Sequence, residues 1–140
     1  MISMLKEFVK RFLPLPMRWA TLHKPLSFQN YKEYESIRMY EGFEEAMSNG
    51  KYDLICVDGP IGGDLIGCAR IDILPLLRNN LADSFSILVD DYNRIQEQNM
   101  VKDLLSTLDD LGIAYAKSIY KGTKQTIIIC SENQKFLTSL

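Results

Sequence analysis

With 140 residues, of which 46% are apolar, the chain can bury one hydrophobic core but hardly two, so a single domain over residues 1–140 is expected. Charged residues make up 24% and the formal net charge is −2, which excludes the global attraction to nucleic acid of a strongly basic protein. No apolar run approaches the roughly 18 residues of a membrane-spanning helix, so no membrane span is expected.

The charge is uneven. Lys6, Lys10, Arg11, Arg18 and Lys24 face only Glu7 at the front of the chain. Ile2, Leu5, Phe8, Val9 and Phe12 recur at three- and four-residue spacing there, and the spacing predicts an amphipathic helix over 2–13 that stops at Pro14 and Pro16. Lys6, Glu7, Lys10 and Arg11 interrupt it too often for an export signal, and its basic face suits packing on its own sheet better than a membrane surface. Three cysteines, Cys56, Cys68 and Cys130, have no paired or metal-like spacing; reduced structural thiols and a cytoplasmic location follow.

Residues 18–23, RWATLH, read as a short strand ending at Lys24-Pro25, so that residues 1–24 form an N-terminal helix and strand. Ser27 to Tyr40 has no clean period and reads as loop or irregular helix, followed by a definite helix over Gly42–Ser48 that ends at Asn49-Gly50. In YDLICVDGP the run Leu54–Val57 is what a strand buried on both faces requires. The glycine-rich GPIGGDLIG reads as a loop, a mobile lid or a plain connection. Residues 69–81 then show helical spacing, with Pro75 as a kink or a start. FSILV is a second buried strand, and a long helix from about Asn93 to Leu111 follows, its stripe Val101, Leu104, Leu105, Leu108 and Leu111 closed by Gly112. IAYAKSIY and QTIIICS, linked by Lys121-Gly122-Thr123-Lys124, form an antiparallel hairpin. The alternation implies an α/β domain whose main sheet, over 52–131, is mostly parallel, with helices on both faces and one antiparallel strand near an edge.

In open α/β sheets ligands lie beyond the carboxyl ends of the strands, which here means Asp58, Asp90 and Asp91. Three such carboxylates on one rim repel unless protonated, paired with a base or bridged by a cation, so they are candidate oxygen ligands for magnesium or calcium. The plainer reading is that Asp58 begins a turn with Gly59 and that Asp91 or Asn93 caps the next helix. The loop glycines Gly59, Gly62, Gly63 and Gly67 match no phosphate-binding motif. His23 is the only histidine and no hydrolase or zinc motif occurs, so no catalytic residue is assigned. Arg94 and Glu97 follow the Asp pair at helical spacing and could orient it, though an exposed surface pair is the ordinary expectation. Trp19 reads as core.

The order LHKPL, Tyr40, YDLICVDGP, Ala69-Arg70 and ILVDDYNR with Glu97 resembles class I S-adenosylmethionine-dependent methyltransferases, most closely a small bacterial group found near polysaccharide genes. The resemblance implies a Rossmann-like sheet of order 3-2-1-4-5-7-6, with YDLICVD as strand 4, FSILVD as strand 5 and the last hairpin as strands 6 and 7. It implies Asp58, Gly59 and Pro60 as cofactor-binding residues and a sugar or small-molecule hydroxyl as acceptor. Catechol-type members bind magnesium at the positions matching Asp58, Asp90 and Asp91, with asparagine in place of Asp91.

Strand 1 with its glycine-rich turn, and strand 2 with its ribose-binding acid, have no counterpart in this sequence. The resemblance therefore implies a truncated or degenerate methyltransferase fold, inactive alone, or a non-catalytic binding or assembly module. Without those strands the YDLICV strand is an open edge, so either RWATLH crosses over to cover it or two copies pair there as a homodimer.

Overall fold

The computed structural model describes residues 24–139. The helix expected over 2–13, the RWATLH strand, Trp19 and His23 lie outside the described residues. The chain is a mixed α/β protein with a two-stranded antiparallel hairpin, β1 (Leu26–Tyr31) and β2 (Tyr34–Tyr40), and a four-stranded mixed sheet. The sheet comprises β3 (Tyr52–Val57), β4 (Leu81–Val89), β5 (Tyr115–Lys121) and β6 (Gln125–Ser131), in the order β3-β4-β6-β5. Three helices connect them: α1 (Phe43–Met47), α2 (Leu76–Asn79) and α3 (Ile95–Asp110).

The β3–β4 ladder is parallel and the other two are antiparallel. Three strands thus point the same way, and β6 alone runs against them. Because β6 lies between β4 and β5, only one of the three ladders is parallel, although the strand directions follow the expectation.

Side chains alternate across a strand, and the paired registers put odd-numbered residues of all four strands on one face. Val57, Phe85, Ile87, Val89, Ile127 and Ile129 from that face form the core with Met100, Val101, Leu104 and Leu108 of α3. The α3 stripe recurs at three- and four-residue spacing, so one helix face meets one sheet face. Each of those side chains contributes about 1.5–3 kcal/mol by leaving water. Past Leu111, Gly112 turns with φ of 67° and Ile113 N–H donates to the Leu108 carbonyl at 3.0 Å, which ends the helix.

The even-numbered face is covered differently. The 3-10 turns of Glu132–Thr138 fold back under β4, β5 and β6, with Gln134 donating to Ser84 Oγ at 2.8 Å and the Tyr120 hydroxyl donating to the Leu137 carbonyl. Ile128 and Cys130 are buried there. Leu54 is 55% exposed and Cys56 is exposed. The apolar run in β3 was expected to be buried on both faces; among the described residues β3 is an edge strand, and only Val57 of the run is fully buried.

Ser27 to Tyr40 is neither loop nor irregular helix but the β1–β2 hairpin. Its odd-numbered side packs inward, with Ile37 at 0% exposure and Tyr31 and Met39 against the core. Residues 69–81 do not form one helix: a 3-10 turn at Ile71–Ile73 and the four-residue α2 replace it, and Leu81 already opens β4. Helix α1, helix α3 and the β5–β6 hairpin fall within a few residues of the sequence expectation. Among the described residues no helix is long and apolar enough to cross a membrane.

Candidate functional site

Parallel pairing of β3 and β4 in register, Val57 beside Val89, brings the two strand ends to one rim, where Asp90 N–H donates to the Val57 carbonyl at 3.1 Å. Asp58, Asp90 and Asp91 follow directly, and each offers a carboxylate oxygen within 4.8 Å of the others. The three acids expected to share a rim do share one. They differ in environment: Asp58 is exposed, Asp90 half-buried and Asp91 buried.

The repulsion is relieved by bases. Arg70, only 2% exposed, donates from Nη2 to Asp91 Oδ2 at 2.9 Å and from Nη1 to the Asp90 carbonyl at 2.9 Å. Arg94 Nη1 reaches Asp91 Oδ2 at 3.0 Å, and Lys124 Nζ lies 2.9 Å from Asp91 Oδ1 and 3.5 Å from Asp90 Oδ2. Thr126 Oγ1 donates to the other oxygen of Asp90 at 3.0 Å. Burial pushes the Asp91 carboxyl up, but Lys124 and Arg70 outweigh it and hold the group below the usual carboxylate range. The Asp91 contact in turn raises the Lys124 ammonium.

Behind this rim sits Glu97, fully buried, with neither carboxylate oxygen hydrogen-bonded. Arg70 Nε is 3.3 Å from Oε1, close enough for charge attraction but not aligned for a hydrogen bond. Burial pushes the Glu97 carboxyl up, and Arg70 only partly offsets this. Arg94 and Glu97 do flank the Asp pair, yet Glu97 is interior rather than half of a surface pair. Neither Asp91 nor Asn93 caps the helix: Arg94 stands at the N-cap of α3, without a side-chain cap. Asn93 Oδ1 instead accepts from Gln125 N–H at 3.5 Å.

The loop from Gly59 to Cys68 is tied down at several points. Arg38 of β2 donates to the Ile61 carbonyl at 2.9 Å and grips Asp64 with both terminal nitrogens, at 2.6 and 2.5 Å. From α3, Gln96 and Asn99 donate to the carbonyls of Leu65 and Gly67 at 2.6 and 2.5 Å. These bonds make the loop a wall of the rim rather than a free lid. At Gly62 a side chain would overlap the Ala69 methyl, and at Gly59 it would stand 2.8 Å from the Tyr40 hydroxyl. Tyr40 thus closes the side of the rim next to Gly59 and Pro60. Its main-chain N–H donates to Asp72 Oδ1 at 2.7 Å, and burial together with the Asp72 charge pushes its phenol up.

Sequence reasoning left Arg70 and Lys124 without a role at the site. Arg70 is the lone base in CARIDIL, a stretch that is apolar apart from it and Asp72, a pattern that signals a buried, paired guanidinium. Lys124 is an unremarkable hairpin-turn lysine, brought to the rim only because β6 pairs with β4. A cavity of about 340 Å³ lies at the far end of β4, between Lys51, Arg78, Asp83 and Ile113, well away from these groups.

No family model, curated protein or solved structure matches the chain.

Proposed function

We propose that the protein is a methyltransferase-like α/β scaffold that retains the polar rim of an O-methyltransferase for a sugar or small molecule and does not hold S-adenosylmethionine firmly by itself. The observation supporting this reading is the sheet. The order β3-β4-β6-β5, with β6 alone reversed, is the order 4-5-7-6 expected of the rear half of a Rossmann-like methyltransferase. Asp58 and Asp90 then stand at the tips where such folds present their ligand-facing residues.

When bound, S-adenosylmethionine supplies an electrophilic methyl group. Asp58, Gly59 and Pro60 would border it, but the residues present make an incomplete cradle. Residues 1–51 carry glycine only at Gly42 and Gly50, which are too far apart to form a glycine-rich turn. Magnesium fits the acidic rim only partly, because both Asp91 oxygens already face cations: Lys124 on one, Arg70 and Arg94 on the other. No chemical step is assigned to either group.

An NMR titration with S-adenosylhomocysteine tests the reading. Weak shifts confined to Tyr40 and residues 58–63, with a Kd no tighter than about 1 mM, are expected. Shifts absent altogether, or scattered away from the rim, would overturn it.

A second reading, a non-catalytic assembly module, is favoured by the outer edge of β3, which pairs with no strand among the described residues and offers a place for a second copy to add its own β3 as a homodimer. Sedimentation equilibrium tests it: a monomer at about 100 μM counts against the dimer.

A further inference from the structure

We propose that the cleft at the start of β4, at the opposite end of the strand from the acidic rim, binds a small monocarboxylate with an apolar body. The cleft holds about 340 Å³, at the small end of the roughly 300–1,000 Å³ usual for small-molecule sites. Leu81 and Phe85 of β4 and Leu77 of α2, all buried, line its inner part together with Ile113, just past the end of α3. Lys51, Arg78 and Asp83, all exposed, stand at its mouth.

The backbone holds these groups around the cleft. Tyr52 pairs with Leu81 and Leu54 with Ser86, so β4 takes five steps where β3 takes two and bulges out of the ladder between those pairs. A bulge re-aims side chains, and this one carries Ala82 and Asp83 to the cleft. Asn80, 6% exposed, fixes the other wall: its Nδ2 donates to the carbonyls of Ser48 and Gly50 at 2.8 and 2.7 Å, and its own carbonyl accepts from Tyr52 N–H at 2.7 Å. Lys51 is thereby pinned on both sides, next to the helical turn that carries Arg78. The charges select the ligand. Among the described residues Lys51, Arg78 and Asp83 form no salt bridge. Two cations against one carboxylate leave the cleft with one net positive charge. A monoanion neutralises that charge, whereas a cation meets two groups of its own sign. A carboxylate also matches the planar fork of Arg78, and the apolar lining favours a body that sheds water. The cleft is separate from the rim, so its failure would leave the reading of the rim untouched.

Heteronuclear NMR titration of the full chain with benzoate tests the proposal. Benzoate should shift the amides of Arg78, Ala82, Asp83 and Ile113 with a Kd of about 1–10 mM. Acetate has the charge without the ring, and benzylammonium has the ring with the opposite charge; each should bind at least about tenfold more weakly. Lys51→Gln with Arg78→Gln should weaken benzoate at least about tenfold, and Asp83→Asn should tighten it about twofold. All three side chains are exposed, so these variants should keep the melting temperature of the natural chain. Acetate or benzylammonium binding as tightly as benzoate overturns the proposal, as does benzoate binding that survives loss of both cations. Benzoate shifts centred on residues 90–94 and 124, with none at the cleft, overturn it equally.

Discussion

Arg70 and Asp91 meet in a buried ion pair, Nη2 to Oδ2 at 2.9 Å, and both hold left-handed backbone, with φ of 59° and 57°. Such backbone costs a non-glycine residue on the order of 1 kcal/mol or more, so the surrounding contacts must hold both residues in place. Arg70 does so by joining four groups: the carbonyls of Val57 and Asp90, at 3.4 and 2.9 Å, and the carboxylates of Asp91 and Glu97. One guanidinium thereby fastens the ends of β3 and β4 and the first turn of α3.

Arg70→Met should destabilise the protein by about 3–5 kcal/mol at pH 7, because Asp91 and Glu97 would be left buried with less compensation. Adding Glu97→Gln should recover part of that loss by removing one of the stranded charges. Urea denaturation of the two variants checks this, and a double variant no more stable than Arg70→Met would contradict the network.

The pH dependence carries two opposite signs. The Asp91 carboxyl is held below its ordinary value, so its contribution is present above about pH 3.9 and is lost as pH falls through the depressed folded value. The Glu97 carboxyl is held above its ordinary value, so the folded state keeps its proton longer than the unfolded chain does. Its penalty grows from about pH 4.3 upward and levels off above the raised folded value. Glu97→Gln should therefore gain stability relative to the natural chain as pH rises through that window. A difference that stays flat with pH would show that Glu97 is ionised normally.

Gly62→Ala should cost about 1–3 kcal/mol, because the new methyl overlaps that of Ala69 in a loop pinned from both sides. Gly62→Ala with Ala69→Gly should restore most of the loss, since the second change vacates the same space. Thermal melts of the single and double variants test the pairing, and equal melting temperatures for the two would exclude it.

Lys124 places its ammonium where a bound cation would touch Asp90 and Asp91. Magnesium should give a flat calorimetric titration with the natural chain, and Lys124→Met should acquire weak binding with a Kd of about 1 mM. The added change Asp58→Asn should abolish what Lys124→Met gains. Equal affinity with and without Lys124 would mean that the amine does not compete for the site.

The β1–β2 hairpin shows why some of the fold was illegible. Its turn holds Lys32 at φ of 53°, where glycine or asparagine would have announced it, and of its inward side chains only Ile37 is completely buried. Residues 69–81 misled in the opposite way: Ile73, Leu76, Leu77 and Leu81 recur at helical spacing, yet Leu81 is buried as the first residue of a strand. Apolar spacing records which residues are buried; over so short a segment it does not record the backbone that buries them.

The local features of the chain were decided by short-range chemistry, which a sequence displays directly. The long α3 stripe, the glycine stop after it, the β5–β6 hairpin and the carboxylates after two apolar runs all follow from side-chain period and turn residues. Tertiary structure alone decided that β6 inserts between β4 and β5, that Lys124 therefore reaches the acidic rim, and that Glu97 is interior. Those outcomes depend on pairing between segments 30 or more residues apart, where the free energy comes from burying one sheet face and matching charges across it. No local pattern encodes that choice, because the groups involved become neighbours only after the sheet has closed.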